Sequence, residues 1–184
     1  MANIKFEDSI PTQKANEILE KTKRGLGFIP NMYLHMANNT ALLDAYTYSY
    51  ESFRTNSGFS PIEQEVIFLS VSYENDCEYC MAAHSFVADQ ITKVPKDVTD
   101  AIREGRQIPD PKLRALSKFT KQMTAKRGMV SQNEIIDFIK AGYRQEDVLG
   151  VIAGIGVKTM SNYSNHNSLP DLDEVFKARN WEKR

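Results

Sequence analysis

The stretch from Ser60 to Val71 narrows the possible folds more than any other part of the chain. Ser60, Pro61 and Glu63 occupy the positions of an N-cap, a first helical residue and the return partner of a capping box. The apolar run Val66-Ile67-Phe68-Leu69, with Val71, follows at once. Four such residues alone are compatible with a strand, but behind that start signal they read as a buried helix. The same punctuation recurs along the chain. Ser131 with Glu134 forms a second capping box, and Gly105, Gly128 and Gly142 stand at the breaks. Residues 12–24 are a polar amphipathic stretch ending at Gly25-Leu26-Gly27, and Pro30 turns Phe28-Ile29 into a short extended entry. Helices are expected over 31–38, over 40–56 with Thr40 as a cap, and over 95–105, 110–126, 131–141 and 145–163. The charged tail from Leu172 to Arg184 has Phe176 and Trp181 as its anchors. The expectation is an all-α, multi-helical bundle, with residues 1–184 forming a single domain long enough to bury a proper core.

A formal net charge of -1 gives no electrostatic footprint for nucleic acid or an acidic membrane surface. No apolar run approaches the roughly 18 residues that span a bilayer. The opening MANIKFEDSI lacks the basic start and apolar stretch of a secretory leader. A cytoplasmic protein is expected. In that reducing compartment, cysteines at C-x-x-C spacing are more often redox-active or metal-binding than a static staple.

The chain has two cysteines, and both lie in Cys77-Glu78-Tyr79-Cys80-Met81-Ala82-Ala83-His84. Asn75-Asp76 breaks the preceding helix, and either can cap a new one running from Cys77 to about Ile91. Steps of three and four then put Cys77, Cys80 and His84 on one face, at a helix start that favours a thiolate. Three readings stay open. In the redox reading one thiolate attacks an oxidised substrate, the other thiol closes a disulfide, and His84 handles the proton with Glu65 as its partner from the preceding helix. In the metal reading Cys77, Cys80 and His84 bind zinc, with Asp76 or Glu65 as a fourth ligand, although no second cysteine limb exists to close the site. In the third, the cysteines are small buried apolar residues beside a hydrogen-bonded histidine.

The pattern Glu65-(eleven residues)-Cys77-Glu-Tyr-Cys80-(three residues)-His84 resembles the alkylhydroperoxidase D-like branch of the carboxymuconolactone decarboxylase family. Gly27-Phe28-Ile29-Pro30-Asn31-Met32 is similar to the entry segment of its peroxidase-related members. Ser60-Pro61 ahead of Glu65-Val66, and Asn162-Tyr163-Ser164-Asn165-His166 with Asp171-Leu172-Asp173, are similar to other parts of them, so the likeness covers about residues 20–175. The resemblance implies an alkylhydroperoxidase D-like bundle with the C-x-x-C at the start of a helix. It also implies a homo-oligomer and an antioxidant peroxidase activity on hydroperoxides. By the same resemblance Cys80 is the attacking thiol, Cys77 the resolving thiol, and Glu65 and His84 a proton relay. Reduction would come from a dithiol partner, lipoyl-bearing or thioredoxin-like, with no organic cofactor and no metal. Founding members carry a histidine where this chain has Tyr79, and a phenol with an ordinary pKa near 10 cannot replace it as a base at neutral pH. Tyr79 can still hydrogen-bond a thiolate. The alternative is a non-enzymatic helical oligomer, redox-sensing or stabilised by zinc, whose cysteines switch assembly.

His166 is either a surface or capping residue or a wall of the same pocket. The tyrosines at 46–50 read as core, subunit interface or the wall of an apolar pocket. Gly150, Gly154 and Gly156 interrupt an apolar helix and point to close helix–helix approach. Glu65→Gln is expected to slow turnover with little loss of stability.

Overall fold

The computed structural model describes residues 4–5 and 10–183, so most of the amino-terminal stretch read for a leader, and Arg184 of the tail, lie outside it. Among the described residues every regular element is helical. Helix α1 (Gln13–Leu26) is capped by the Thr12 side chain and stops at Gly27, whose φ of 84° suits glycine. The short α2 (Asn31–Met36) follows Pro30, and α3 (Thr40–Asn56) is capped one residue earlier than expected, by the Asn39 side chain accepting from the Leu42 N–H. Helix α4 (Pro61–Glu74) carries both halves of the Ser60/Glu63 capping box. Every residue of α4 from Gln64 to Ser72 is buried, as its all-round apolar run requires. It packs against α5 (Glu78–Val87), α6 (Lys96–Arg103), α7 (Pro111–Ala125) and α9 (Asp147–Ser168), while α8 (Gln132–Lys140) lies on α7. No membrane-length apolar helix occurs among the described residues.

Several boundaries depart from the sequence reading for physical reasons. Neither Asn75 nor Asp76 caps α5. Asn75 closes α4, Asp76 turns the chain with a φ of 57°, and Cys77 itself is the N-cap. Its N–H bonds the Ser72 carbonyl at 2.9 Å, fastening the start of α5 to the end of α4. The α-helix ends at Val87 and continues as a π-helical turn, Ala88–Thr92, which Lys93 terminates in the left-handed region. Helix α9 runs on to Ser168, beyond the expected end at 163, through an asparagine-rich stretch. Asn162 is buried and accepts from Asn75 Nδ2 at 2.9 Å, so tertiary partners replace the local alternatives that normally disfavour asparagine in a helix.

The glycines of α9 divide. A Cβ on Gly154 would stand 2.7 Å from Ile67 Cγ2, and one on Gly150 would stand 2.9 Å from Phe59 Cε2, so these two let α9 approach its neighbours. Gly156 faces open space. After α9 the chain returns along α5 as a 3-10 helix, Glu174–Arg179. The expected anchors hold there: Phe176 and Trp181 are buried, and Trp181 Nε1 donates to the Arg103 carbonyl at 2.7 Å.

Candidate active site

The start of α5 puts Cys77 at the N-cap and Cys80 one turn in, facing α9. Helix α9 presents Lys158, Ser161, Asn162 and Asn165 at i, i+3, i+4 and i+7, a single inward face on which all four are buried. Asn165 Nδ2 donates to Cys80 Sγ at 3.3 Å and reaches Cys77 Sγ at 3.7 Å, and Ser161 Oγ lies 3.7 Å from Cys80 Sγ. The opposite side is closed by α4. Glu65, with no exposure at all, accepts from His84 Nδ1 at 2.9 Å and binds Arg54 of α3 through its other oxygen. Arg54 is itself fixed, donating to Tyr50 Oη at 2.8 Å and to Gln64 Oε1 at 3.1 Å. With Glu65 ionised, Nδ1 of His84 carries the ring proton and Nε2 is the basic nitrogen.

A cavity of about 710 Å³ opens against this centre between α1, α3 and α5. Tyr33, Tyr46, Tyr50, Tyr79 and Phe176 wall it, with Cys80, His84 and Lys158 at its inner end; Cys77 and Glu65 are not in its lining. The tyrosine-rich face of α3 therefore grades outward: Tyr46 is buried core and cavity wall, Tyr50 is cavity wall, and Tyr48 borders the cavity while 76% exposed.

The two thiols are driven apart electrostatically. Burial alone would raise Cys80, but the hydrogen bond with Cys77, the positive charge of Lys158 and the nearby His84 bring it well below the ordinary thiol value. Its bond to Cys80, and then burial, push Cys77 up. Burial, and then Lys158, lower His84 more than Glu65 raises it, so the imidazole is neutral at neutral pH. Glu65 would be raised by burial, yet His84 and Arg54 hold it below the ordinary carboxylate value.

Not every residue singled out from the sequence joins this centre. The Tyr79 ring lines the cavity, but its hydroxyl donates to Asp173 and accepts from the Met32 N–H at 3.4 Å. It does not bond a sulfur. His166, in the last turn of α9, lies outside the cavity lining and stacks on Tyr163 with ring centroids 6.4 Å apart. Among the described residues no group of three His, Cys, Asp or Glu side chains is arranged to hold a metal ion. Conversely, Lys158, Ser161, Asn165 and Arg54 escaped the sequence reading. One signal for Lys158 was present: it is the only charged residue between Asp147 and His166 in an otherwise apolar and small-residue run.

Two of the depressed groups, His84 and Glu65, tie stability to acid. Folded His84 resists protonation that the unfolded chain accepts below its ordinary 6.5, so its contribution is present above that pH and declines as pH falls. Glu65 adds a second loss below its ordinary 4.5, where the unfolded carboxyl is protonated and the folded one still holds its charge. The melting temperature is expected to fall between about pH 7 and about pH 5, and His84→Gln should flatten that part of the curve. Calorimetry across the range tests this, and equal slopes in both proteins would count against it.

The chain has the alkylhydroperoxidase D-like fold. A peroxidase-related protein from Ralstonia eutropha JMP134, described as an alkylhydroperoxidase D core, superposes with a TM-score of 0.79 at 20% identity over 90% of this chain and 88% of the other. An uncharacterized peroxidase-related protein from Silicibacter sp. TM1040 gives a TM-score of 0.79 at 22% identity, over 94% of each chain. A cysteine-to-alanine variant of the debrominase Bmp8, in complex with 2,3,4-tribromopyrrole, gives 0.74 at 16% identity over 94% of this chain and 95% of that one. No protein-family model and no curated protein sequence matches the chain. At these identities the likeness is one of fold.

Proposed function

We propose that this protein is a thiol-dependent peroxidase in which Cys80 is the attacking thiol and Cys77 the resolving one. The observation that carries the reading is that Cys80 reaches the inner end of the cavity beside the His84–Glu65 pair, while Cys77 lies behind it. The Cys80 thiolate attacks the distal oxygen of a hydroperoxide. The O–O bond breaks, the sulfur becomes a sulfenic acid, and the alkoxide leaves as an alcohol with a proton passed through His84 Nε2. Cys77 then attacks the sulfenic sulfur, its proton leaves with the hydroxide as water, and a disulfide forms. A dithiol reductant, lipoyl-bearing or thioredoxin-like, restores both thiols through a mixed disulfide. Glu65 holds the imidazole in the tautomer this cycle needs.

The test is stoichiometric. One equivalent of tert-butyl hydroperoxide should remove both free thiols as an intramolecular Cys77–Cys80 disulfide, and dihydrolipoamide should return them. Thiols that survive excess hydroperoxide would overturn the reading.

The aromatic cavity wall favours a second reading, reductive dehalogenation of a small haloaromatic such as the brominated pyrrole bound by Bmp8. The thiolate would attack the halogen, the ring carbon would take a proton, and Cys77 would displace halide from the sulfenyl halide to give the same disulfide. Halide release from a bromopyrrole, with hydroperoxide left untouched, would select it.

A further inference from the structure

Lys158 has no part in either reaction above, yet it is the most unusual residue of the interior. It has no exposure, and its Nζ has no hydrogen-bond partner. Nζ lies 5.5 Å from the Phe68 ring centroid, at the inner end of the cavity. Burying an ammonium without a counter-charge is strongly unfavourable, so an ammonium at this place calls for an anion beside it.

A count of the neighbouring charges leaves one candidate. From α3 and α4, Arg54 and Glu65 neutralise each other. From α5, His84 is neutral beside Glu65. Burial raises the phenols of Tyr33 on α2, Tyr46 and Tyr50 on α3 and Tyr79 on α5, which keeps them uncharged. Asp173, from the returning segment, keeps its charge but is turned to the Tyr79 hydroxyl and to the Asn31 N–H at the entry of α2. What remains facing Lys158 is the cysteine pair, and Ser161 and Asn165 hold Cys80 from the same face of α9.

We propose that Lys158 is a positioning residue of the thiol centre: its ammonium is the buried counter-charge of the Cys80 thiolate, and it makes the disulfide of this pair easy to reduce. The second property follows from the first. When an external disulfide oxidises the pair, two electrons and the Cys77 proton leave the protein and, with one proton from solvent, convert that disulfide to two thiols, while the Cys77–Cys80 bond forms. The protein's own disulfide carries no charge. Oxidation therefore strips Lys158 of its partner, whereas reduction restores it. A cation that stabilises only the reduced form displaces the equilibrium towards that form. Dithiol partners of ordinary reducing strength then suffice to reset the pair.

The inference rests on Cys80 being the attacking thiol, but its test does not need peroxide turnover. Wild type, Lys158→Met and Lys158→Arg are compared for the pH profile of Cys80 alkylation by iodoacetamide and for the equilibrium with reduced and oxidised glutathione. In Lys158→Met the alkylation midpoint should rise by about one pH unit or more, and the equilibrium constant should move about tenfold or more towards the disulfide. Lys158→Arg should keep the wild-type midpoint. A midpoint and an equilibrium unchanged in Lys158→Met would overturn the proposal. So would a wild-type Cys80 midpoint at the ordinary thiol value of about 8.5, a result that decides the matter even if the variant does not fold. If these shifts appear while hydroperoxide is not consumed, the peroxidase reading fails and the role of Lys158 stands.

Discussion

Cys80→Ser is expected to lower hydroperoxide consumption by at least about a thousandfold while the protein stays folded, because a serine hydroxyl is not ionised near neutral pH and is a far weaker nucleophile. The surroundings of Cys80 suit sulfur. Asn165 Nδ2 and Ser161 Oγ reach the sulfur at 3.3 and 3.7 Å, distances suited to sulfur and too long for an oxygen at the same place. Cys77→Ser should behave differently. Its Cys80 should be oxidised once by each equivalent of hydroperoxide and then stall as the sulfenic acid, since no neighbouring thiol can close the disulfide. Steady-state turnover with dihydrolipoamide, and mass spectrometry of the oxidised sulfur, measure both. Equal residual activity in the two variants would remove the division of roles between the cysteines.

The second large effect is on stability as well as rate. Glu65→Gln is expected to lose about 3 kcal/mol of folding stability, because it leaves the half-buried Arg54 guanidinium without the carboxylate it binds. The sequence reading anticipated little loss of stability, with Glu65 as a relay partner alone. Full burial, and the pairing of its second oxygen with Arg54, are what change that expectation. Turnover should fall about a hundredfold, the usual scale for a displaced acid–base group, as His84 loses the acceptor that fixes its tautomer. Denaturant midpoints separate the two effects when Arg54→Met is added. The double variant has no unpaired interior charge, so much of the stability should return, while turnover should not. Recovery of both would make Glu65 a structural residue only.

What could be read in the sequence follows from where the local signals are strong. Ser60 with Glu63 and Ser131 with Glu134 are self-contained capping boxes, and both helices begin where those residues say. The spacing of Glu65, Cys77, Cys80 and His84 likewise carried enough periodicity to bring the thiols and the histidine onto one helix. Its limit was the inter-helix contact. That Glu65 meets His84 depends on how α4 packs on α5, which no local pattern encodes. The α9 face shows the same limit more sharply. The helix expected over 145–163 stops short of Asn165 because asparagine amides usually seek nearby backbone, and for Asn162 and Asn165 only a partner more than eighty positions away in the chain reverses that preference. Lys158 is a lone charge in an apolar run, a signal that was passed over, and its meaning requires knowing which charges surround it.

The residue just before Cys80 has a consequence for anyone wishing to redesign this centre. Glu78 faces solvent and Tyr79 points inward, where its hydroxyl donates to Asp173, whose carboxylate also accepts the Asn31 N–H at 3.2 Å. Tyr79 is thus a latch joining the first turn of the cysteine helix to the entry of α2 and to the returning tail that brings Phe176 to the cavity. The position is not a vacant seat waiting for a base. Installing histidine there to imitate founding peroxidases would exchange a fastening for a second imidazole and loosen one wall of the cavity beside Cys80.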